Sequence, residues 1–411
     1  MLIASSAISL YTSGIIGYGF TAIFEPMARD LHWSYAQVSL FASLRGLETG
    51  LLAPVLGLLV DRWGPRKIVL AGSVLLGLGM ALLSRVSTLP MYYAASILIA
   101  TGMSAFNSAV LLTAVVHWFH RRVATASGLY LCSYAVGGLL VPLVTYLVDT
   151  FHWRQALVIL AMGAWAVGIP MSLLIRLRKD GGRYLTGESS PAPSQPPNAA
   201  PAQVESPGLQ PGEAVRTRAF WHVSLISLCM NVTSASVLLH VMPYLSSIDA
   251  TARSVASFMA SAIPLTSIAA RAGYGWLGDR ADKRKLSVLA MVFIALGMAS
   301  FGAISATKLW LIFPFILFFA FGWGGMITMR TTLVREYFGR SRFGTILGLA
   351  NGVMVIGDVS GPFVAGWAYD RWGSYHGVWF AYAGVAAAGA VLALTMPAVS
   401  ALKRRDSARD V

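Results

Sequence analysis

The sequence is poor in charged residues, and in acidic residues above all. Only 12% of its 411 residues are charged, and 31 Lys and Arg stand against 17 Asp and Glu. A soluble globular domain has about 25% charged residues. Hydrophobic residues make up 56% of the chain, and the mean hydropathy is +0.66. A chain so apolar and so weakly charged is predicted to be an integral membrane protein.

Cysteine is scarce as well, with Cys132 and Cys229 as the only two. Both lie in apolar stretches, so the sequence predicts no disulfide and favours a packing role for each. The sequence also lacks the closely spaced His, Cys and carboxylate residues of a metal site and the glycine loop with a lysine of a phosphate-binding site. It has no Ser-His-acid set of the kind that forms a nucleophilic active site. We therefore expect no metal, no cofactor, no enzymatic site and no ATP-driven transport.

Long apolar runs are what the chain has instead. We find twelve, of about 20 to 25 residues each, which is the length that crosses a bilayer core at about 1.5 Å per residue. They lie at residues 6–27, 37–59, 68–84, 92–116, 124–148, 155–175, 220–244, 255–277, 286–306, 310–334, 345–368 and 378–396. We call them spans 1 to 12, and they predict an all-α integral membrane protein with twelve transmembrane helices.

Residues 178–218 interrupt the apolar runs. They are rich in Pro, Ala, Ser, Gly and Gln. No such composition can bury a core, so we predict a flexible linker there. It divides the chain into one six-helix bundle at residues 1–177 and a second at residues 219–411, which includes a short tail.

The basic residues predict the orientation in the membrane. Of the 31 Lys and Arg, our assignment puts 22 on the side of the linker and both termini, six on the other side, and three, Arg45, Arg271 and Arg330, inside spans. By the positive-inside rule the linker and the termini are cytoplasmic, which predicts a multi-pass protein of the inner (plasma) membrane. The basic side is expected to contact anionic lipid. No nucleic-acid partner is predicted, and a monomer is expected.

The two halves of the chain repeat each other. Gly57, Asp61, Arg62, Arg66 and Lys67 recur as Gly275, Asp279, Arg280, Arg284 and Lys285, all at one constant spacing that is close to half the chain. Pro142 recurs as Pro362 and Asp149 as Asp370, at nearly the same spacing. A chance motif would not keep this register over several helices.

At these turns the sequence resembles the major facilitator superfamily. The run from Gly57 to Lys67 has the G-x-x-x-D-R-x-G-x-R-K pattern of that superfamily's loop between helices 2 and 3, and the run from Gly275 to Lys285 resembles its partner. The resemblance implies two bundles related by an axis along the membrane normal, a substrate site near the midplane, and alternating access. Asp61 and Asp279 are then expected to pair with nearby arginines and to latch the cytoplasmic ends.

Finer features resemble the monocarboxylate and oxalate/formate porter branch. They are Tyr18-Gly19-Phe20, Pro26, the run from Leu31 to Ser39 and the run from Trp118 to Arg122. Arg271 matches, by its position in helix 8, the arginine that pairs with the substrate carboxylate in that branch. The resemblance implies a secondary active transporter for a small organic anion, a monocarboxylate such as lactate, acetate, pyruvate or formate, with protons as one coupling partner.

The departures from that branch leave the coupling mode open. The chain has no lysine in span 1, and Ser267 stands where the proton-coupled animal carriers have an acid. Span 11 offers Asn351 and Asp358 where the oxalate exchanger has a second cation. A single cation suits a monocarboxylate better than a dianion.

Arg271 is the first candidate for substrate binding. A guanidinium in hydrocarbon costs about 2.5 to 3.5 kcal/mol and normally faces a partner or a water-filled cavity. Its planar fork can bind a carboxylate through two hydrogen bonds. The alternative is snorkelling to the cytoplasm, since Asp279 lies only about 12 Å further along the helix. Further hydrogen bonds to the substrate are expected from Tyr18, Asn107, Tyr130 and Asn351, although each could instead cross-link helices.

Other buried charges suggest a gate. Arg45 lies about 24 Å from the cytoplasmic end of span 2 and Asp358 about 22 Å from that of span 11, so their depths match. We predict that Arg45, with Glu48 one turn away, pairs with Asp358 as an outer gate, and that one of the acids carries the proton. Arg330 is expected to pair with Asp279.

Two other classes of function remain. A major facilitator carrier for another small solute, such as a dicarboxylate exchanger or a drug or sugar carrier, would share the fold but not the anion site. A transport-dead receptor or a membrane enzyme would need an output domain or a catalytic cluster, and the sequence shows neither.

Overall fold

The structure is a computed structural model that describes residues 2–106, 111, 123–175, 210–248, 252–339 and 343–397. Every regular element within these ranges is a helix. Nine helical segments there are long and apolar enough to cross a membrane. The described chain is therefore that of a multi-pass membrane protein, as the apolar runs predict.

The first half contains spans 1 to 6. Its helices are Leu2–Thr12, the π-helical turn Ser13–Tyr18, Phe20–Leu31, Tyr35–Trp63, Pro65–Ser84, Leu89–Ser104, Val123–Val136, the 3-10 turn Gly137–Leu140 and Val141–Leu174. Residues Gly128–Leu174 form one segment of 47 residues, which as a straight helix would measure about 70 Å, more than twice a bilayer core. His152, whose φ of 60° is left-handed, breaks this segment and separates span 5 from span 6.

The second half contains spans 7 to 12. Its helices are Pro211–Arg216, Arg218–Ser246, Arg253–Gly278, Lys283–Gly302, the 3-10 turn Leu309–Leu311, Ile312–Phe338, Phe343–Trp372 and His376–Leu394. The short first helix falls inside the predicted linker, where Pro211 opens it and Gln210 and Glu213 form a capping box. The linker before residue 210 and most of span 4 beyond residue 106 lie outside the described ranges, so the linker and the count of twelve stay predictions.

Small residues allow the helices of the first half to approach each other. Helices in lipid gain little from burying apolar surface against one another, so close backbone contact supplies the packing energy. Where spans 1 and 5 cross, a Cβ on Gly14 would lie 2.5 Å from the Gly137 carbonyl oxygen. Span 1 forms its π-helical turn at this crossing, and Ser13 Oγ donates to the Tyr134 carbonyl oxygen at 2.8 Å. The turn ends at Tyr18, so the crossing sets the direction of a candidate site residue.

The two halves meet at the end of the molecule that carries Asp149, Arg253 and Asp370. We call this the outer end, following the predicted orientation, and the opposite end the inner end. About 16 Å along span 8 from Arg253, Gly138 of span 5 packs against Pro264. The Met242 N–H of span 7 donates to Thr21 Oγ1 of span 1 at 3.3 Å.

Spans 2 and 11 form a seam that runs inward from the outer end. A Cβ on Gly366 would lie 2.7 Å from the Tyr35 carbonyl oxygen, and a Cβ on Gly46 would lie 2.7 Å from Asp358 Cβ. These two contacts are about eleven residues apart on span 2, or about 16 Å along the helix. Only the absence of side chains at both glycines permits such an approach.

A buried histidine links the halves beside this seam. His240 of span 7 is fully buried, and its Nε2 lies 3.0 Å from the Pro362 carbonyl oxygen and 3.1 Å from Ser39 Oγ of the first half. Burial raises the pKa of Tyr375, in the turn before span 12, well above its usual value, so the hydroxyl stays protonated. Tyr375 therefore donates to His240 Nδ1 at 3.0 Å, and Nε2 carries the imidazole proton.

Toward the inner end, span 11 has free space beside it. A Cβ on Gly344, Gly348 or Gly352 would meet no atom within 4 Å. The described contacts between the halves run from the outer end to Gly46 and Asp358, well inside spans 2 and 11. The two halves are therefore in contact on the outer side.

The crossing of spans 1 and 5 predicts an effect on stability. In Gly137→Ala the new Cβ would lie 2.7 Å from the Leu10 carbonyl oxygen and 2.8 Å from Gly14 N, both backbone atoms that cannot turn aside. We expect a loss of about 1 to 3 kcal/mol, measured as a lower melting temperature of the purified protein in detergent. The control Gly352→Ala enters open space and should melt at the wild-type temperature or slightly above it. Equal melting of both variants would contradict this packing.

Candidate functional site

Arg271 lies inside the second half, about 27 Å along its helix from Arg253. Its Cζ is 5.7 Å from the ring centroid of Trp323 in span 10, a cation–π contact. Its Nε is buried and has no hydrogen-bond partner. A buried guanidinium donor without a partner is uncommon in a folded protein, which keeps Arg271 a candidate for contact with a ligand.

Tyr18 of span 1 is a candidate from the first half that lies near Arg271. Its side chain is 3% exposed, and its hydroxyl is buried without a hydrogen-bond partner. The hydroxyl lies within electrostatic range of both Arg271 and Arg45. Its ring packs edge-on against Tyr134 of span 5, with the centroids 5.8 Å apart. Tyr18 and Arg271 thus present partnerless donors from opposite halves.

Asp358 of span 11 lies at the inner limit of the seam. Arg45 of span 2 and Arg330 of span 10 are both within electrostatic range of its carboxylate, and Asn231 of span 7 lies beside it. The structure therefore brings Arg45 and Asp358 together, although their pairing as an outer gate stays a prediction. Asp358 is the point at which charges from both halves meet.

The two arginines near Asp358 differ in their other contacts. Arg45 Nη1 donates to the Ile16 carbonyl oxygen in span 1 at 3.1 Å. Arg330 Nη1 lies 2.5 Å from the sulfur of Met354, and its Nε is buried without a partner. The expected pairing of Arg330 with Asp279 is not among the ion pairs that the described residues form.

Glu48 has its partner within the first half. Thr101 of span 4 donates a short hydrogen bond to Glu48 Oε1, while Oε2 is buried and has no partner. Glu48 therefore faces span 4, and the described contacts do not join it to Asp358. Its predicted part in the gate stays untested.

The remaining candidates lie within the spans and at the helix ends. Tyr130 is 2% exposed in span 5, and Asn351 of span 11 has a buried Oδ1 without a partner. Asp279 is exposed where span 8 ends, and three residues later Asp282 caps the next helix by accepting the Arg284 N–H at 2.8 Å. Asn107 and the side chain of Asp61 lie outside the described residues.

Sequence reasoning missed Trp323 and Tyr134. The glycines of the run from Gly322 to Gly325 suit close helix packing, and a Cβ added to Gly324 would indeed lie 2.6 Å from the Ser267 carbonyl oxygen. Trp323 lies between these glycines, and the close approach of spans 8 and 10 places its ring beside Arg271. An aromatic residue inside a glycine run on a cavity-lining helix was the available signal.

The charges of this region favour an anion. Three arginines, Arg45, Arg271 and Arg330, occur with two acids, Glu48 and Asp358, in the described parts of spans 2, 8, 10 and 11. An excess of positive charge in surroundings of low dielectric constant attracts an anionic solute. Among the described residues no group of three or more His, Cys, Asp and Glu could hold a metal ion.

A sequence comparison identifies the family. The model of the Major Facilitator Superfamily matches residues 4–250 and again residues 224–410. The chain belongs to this superfamily. The double match follows the internal repeat, and the predicted family and all-α fold are confirmed, without a count of the helices.

Relatives of this superfamily match most of the chain at low identity. The chain is 24% identical over 362 residues to monocarboxylate transporter 12 of Mus musculus, covering 83% of this chain and 73% of that protein. It is 24% identical over 398 residues to monocarboxylate transporter 13 of Bos taurus, covering 94% and 85%. An uncharacterized MFS-type transporter of Escherichia coli K12, YhjX, is 26% identical over 313 residues, covering 74% and 72%.

Solved structures of the superfamily share the fold. The nucleoside transporter NupG superposes with a TM-score of 0.77 at 13% identity, covering 96% of this chain and 99% of that one. A bacterial homologue of the human lysosomal transporter Spinster superposes with a TM-score of 0.71 at 14% identity, covering 99% and 96%. These two structures show the fold, and the family match with the curated relatives shows that the protein is a major facilitator transporter and not an enzyme.

The charge cluster at Asp358 predicts a loss of stability on neutralisation. Asp358→Asn removes the carboxylate that lies near the guanidinium groups of Arg45 and Arg330, so we expect unfolding to become easier by about 3 kcal/mol. The measurement is the melting temperature in detergent. The control is Asp282→Asn, since asparagine also caps a helix and the site is exposed. If both variants melted like the wild type, Asp358 would not balance these arginines.

Proposed function

We propose that this protein is a secondary active transporter of small monocarboxylates, of the class of lactate, acetate, pyruvate and formate. One observation carries the proposal: a buried Arg271 Nε and a buried Tyr18 hydroxyl both lack a partner and belong to opposite halves. A carboxylate satisfies both donors at once. The printed names of the relatives, monocarboxylate transporters 12 and 13, support the same substrate class.

The chemistry of binding follows from the side chains. The Arg271 guanidinium binds the carboxylate as a planar fork, and the low dielectric of the cavity strengthens the ion pair. Trp323 lies against the guanidinium and orients it. Tyr18 donates a hydrogen bond from the first half, so the bound anion contacts both halves. Bound substrate then favours their approach, which is what alternating access requires.

Asp358 is our choice for the coupling acid. It is a carboxylate in electrostatic contact with Arg45 of the first half and Arg330 of the second. Protonation would weaken its hold on Arg45 across the Gly46 contact and loosen the seam. We propose proton symport on this basis, with Arg45 and Asp358 as the gate.

The setting of the protein is part of the proposal. The excess of Lys and Arg on one side supports cytoplasmic termini, a place in the inner (plasma) membrane, and contact with anionic lipid. A single chain contains both halves of the site, so a monomer suffices for transport.

A second substrate class has one observation in its favour. Arg330 Nε is also buried without a partner, which gives the cavity a second guanidinium donor. A dicarboxylate would use both Arg271 and Arg330. A panel of mono- and dicarboxylates of one to four carbons, scored by thermal shift, separates the classes, because the bound ligand raises the melting temperature.

Arg271 variants test the proposed site. Arg271→Gln should weaken binding of the best carboxylate about a hundredfold or more, because it removes the counter-charge of a buried anion. Arg271→Lys should recover only part of the affinity, since it lacks the fork. The measurements are titration of the purified variants and uptake of the labelled acid into proteoliposomes.

The matched control for these variants is Arg280→Gln. It removes the same charge at the end of the same span, where Arg280 stacks on Trp276 at 4.3 Å. We expect wild-type binding in this control. Wild-type affinity in a well-folded Arg271→Gln protein would show that Arg271 has a structural role, and the monocarboxylate site would be withdrawn.

A further inference from the structure

The start of the span 2 helix is capped by the other half of the protein. The first N–H groups of a helix have no carbonyl partner in the helix itself. Here Asp370 of span 11 accepts the Tyr35 N–H at 2.8 Å with one oxygen and the Ala36 N–H at 2.7 Å with the other. The local residue Ser34 caps only the next donor, Gln37, at 3.2 Å. Two of these three donors therefore depend on a carboxylate from the second half.

Asp370 is badly placed with respect to its own helix. Its helix, Phe343–Trp372, ends two residues later, and the negative end of a helix dipole repels a carboxylate. The positive start of the span 2 helix attracts it instead. Asp370 is thus favourably placed only while spans 2 and 11 touch at the outer end.

Asp149 makes the corresponding contact at the end of span 5. Its Oδ1 accepts a hydrogen bond from Arg253 Nε at 2.7 Å, and Arg253 is the first residue of the span 8 helix. Arg253 also lies 3.7 Å from Glu25 Oε2 and donates a short bond to the Ala22 carbonyl oxygen of span 1. One residue of the second half is held by two spans of the first.

The internal repeat relates the two contacts. Asp370 is the repeat of Asp149, and Arg253 follows Tyr35 at the same spacing that relates the two charged turns. Asp149, near the end of span 5, contacts the first residue of the span 8 helix. Asp370, near the end of span 11, contacts the first residue of the span 2 helix. Each contact joins the two halves. The equivalence of both partners shows that the contacts are a built feature of the fold.

We propose that Asp149 and Asp370 form two repeat-related latches that hold the outer end closed and must both release before the carrier opens outward. Asp149 is 45% exposed and Asp370 is exposed, so water can take over their hydrogen bonds on release. Glu25 also pairs with Arg29 at 2.5 Å, so its carboxylate still has a partner after Arg253 separates from it. The latches are therefore reversible, as a transport cycle needs.

Distances between spin labels at the outer end test the latches without a substrate. Labels at Ser87→Cys and Thr307→Cys report on one exposed loop of each half, after the native thiols are removed as Cys132→Ser and Cys229→Ser. In nanodiscs, Asp149→Asn or Asp370→Asn should raise the long-distance, outward-open population about five- to tenfold. In the double variant with both substitutions, the increase in the outward-open population should be the product of the two single increases.

Additivity identifies the latch partners. Arg253→Gln combined with Asp149→Asn should shift the population little beyond Arg253→Gln alone, because both changes break one latch. Asp370→Asn should add to either of them.

The control is Asp30→Asn, which breaks an outer ion pair with Arg154 inside the first half. It should leave the distances unchanged. An unchanged distribution in the Asp149→Asn, Asp370→Asn double variant, or an equal shift in Asp30→Asn, would overturn the proposal. Because no substrate is present, this outcome is independent of the proposed monocarboxylate site.

Discussion

The placing of guanidinium groups inside an apolar slab constrains the rest of this structure. Arg45, Arg271 and Arg330 each lie in a span, where an isolated charge costs several kcal/mol. The fold meets that cost by gathering Arg45 and Arg330 around Asp358 and by laying Arg271 against Trp323. In the proposed cycle, polar space between the two halves would let these charges meet water and substrate.

The seam between the halves holds them together on the outer side. Spans 2 and 11 approach through Gly46 and Gly366, where any side chain would collide with the opposite helix. Asp358 lies at the inner limit of the seam, so the same contact that seals the outer side ends at the charge cluster. In the proposed cycle, a ligand or proton that changes this cluster acts directly on the seam. In that proposal the substrate site and the gate are neighbours.

Hydropathy and the internal repeat predict the helical fold and the family. The matching depth of Arg45 and Asp358 is also predictable, because the rise per residue fixes the position of each residue along its helix. Rotation about the helix axis is less well determined when apolar residues face both protein and lipid. For this reason the sequence did not predict that Glu48 faces Thr101, that Arg330 turns to Asp358, or that Trp323 lies on Arg271. The π-helical turn that aims Tyr18 arises from a glycine crossing that no periodicity reveals. Asn107 and Asp61 stay predictions.

The most direct test of the central claim measures contact between the substrate and one arginine. The protein is labelled with ¹⁵N-arginine and loaded with whichever of lactate, acetate, pyruvate and formate binds most tightly, labelled with ¹³C at its carboxyl group. Solid-state NMR then reports whether the carboxyl ¹³C lies within about 4 Å of a guanidinium ¹⁵N. The account predicts strong ¹³C–¹⁵N dephasing in the wild type and in Arg280→Lys, and its loss in Arg271→Lys. Dephasing that persists in Arg271→Lys, under conditions where the acid still binds, would contradict the account.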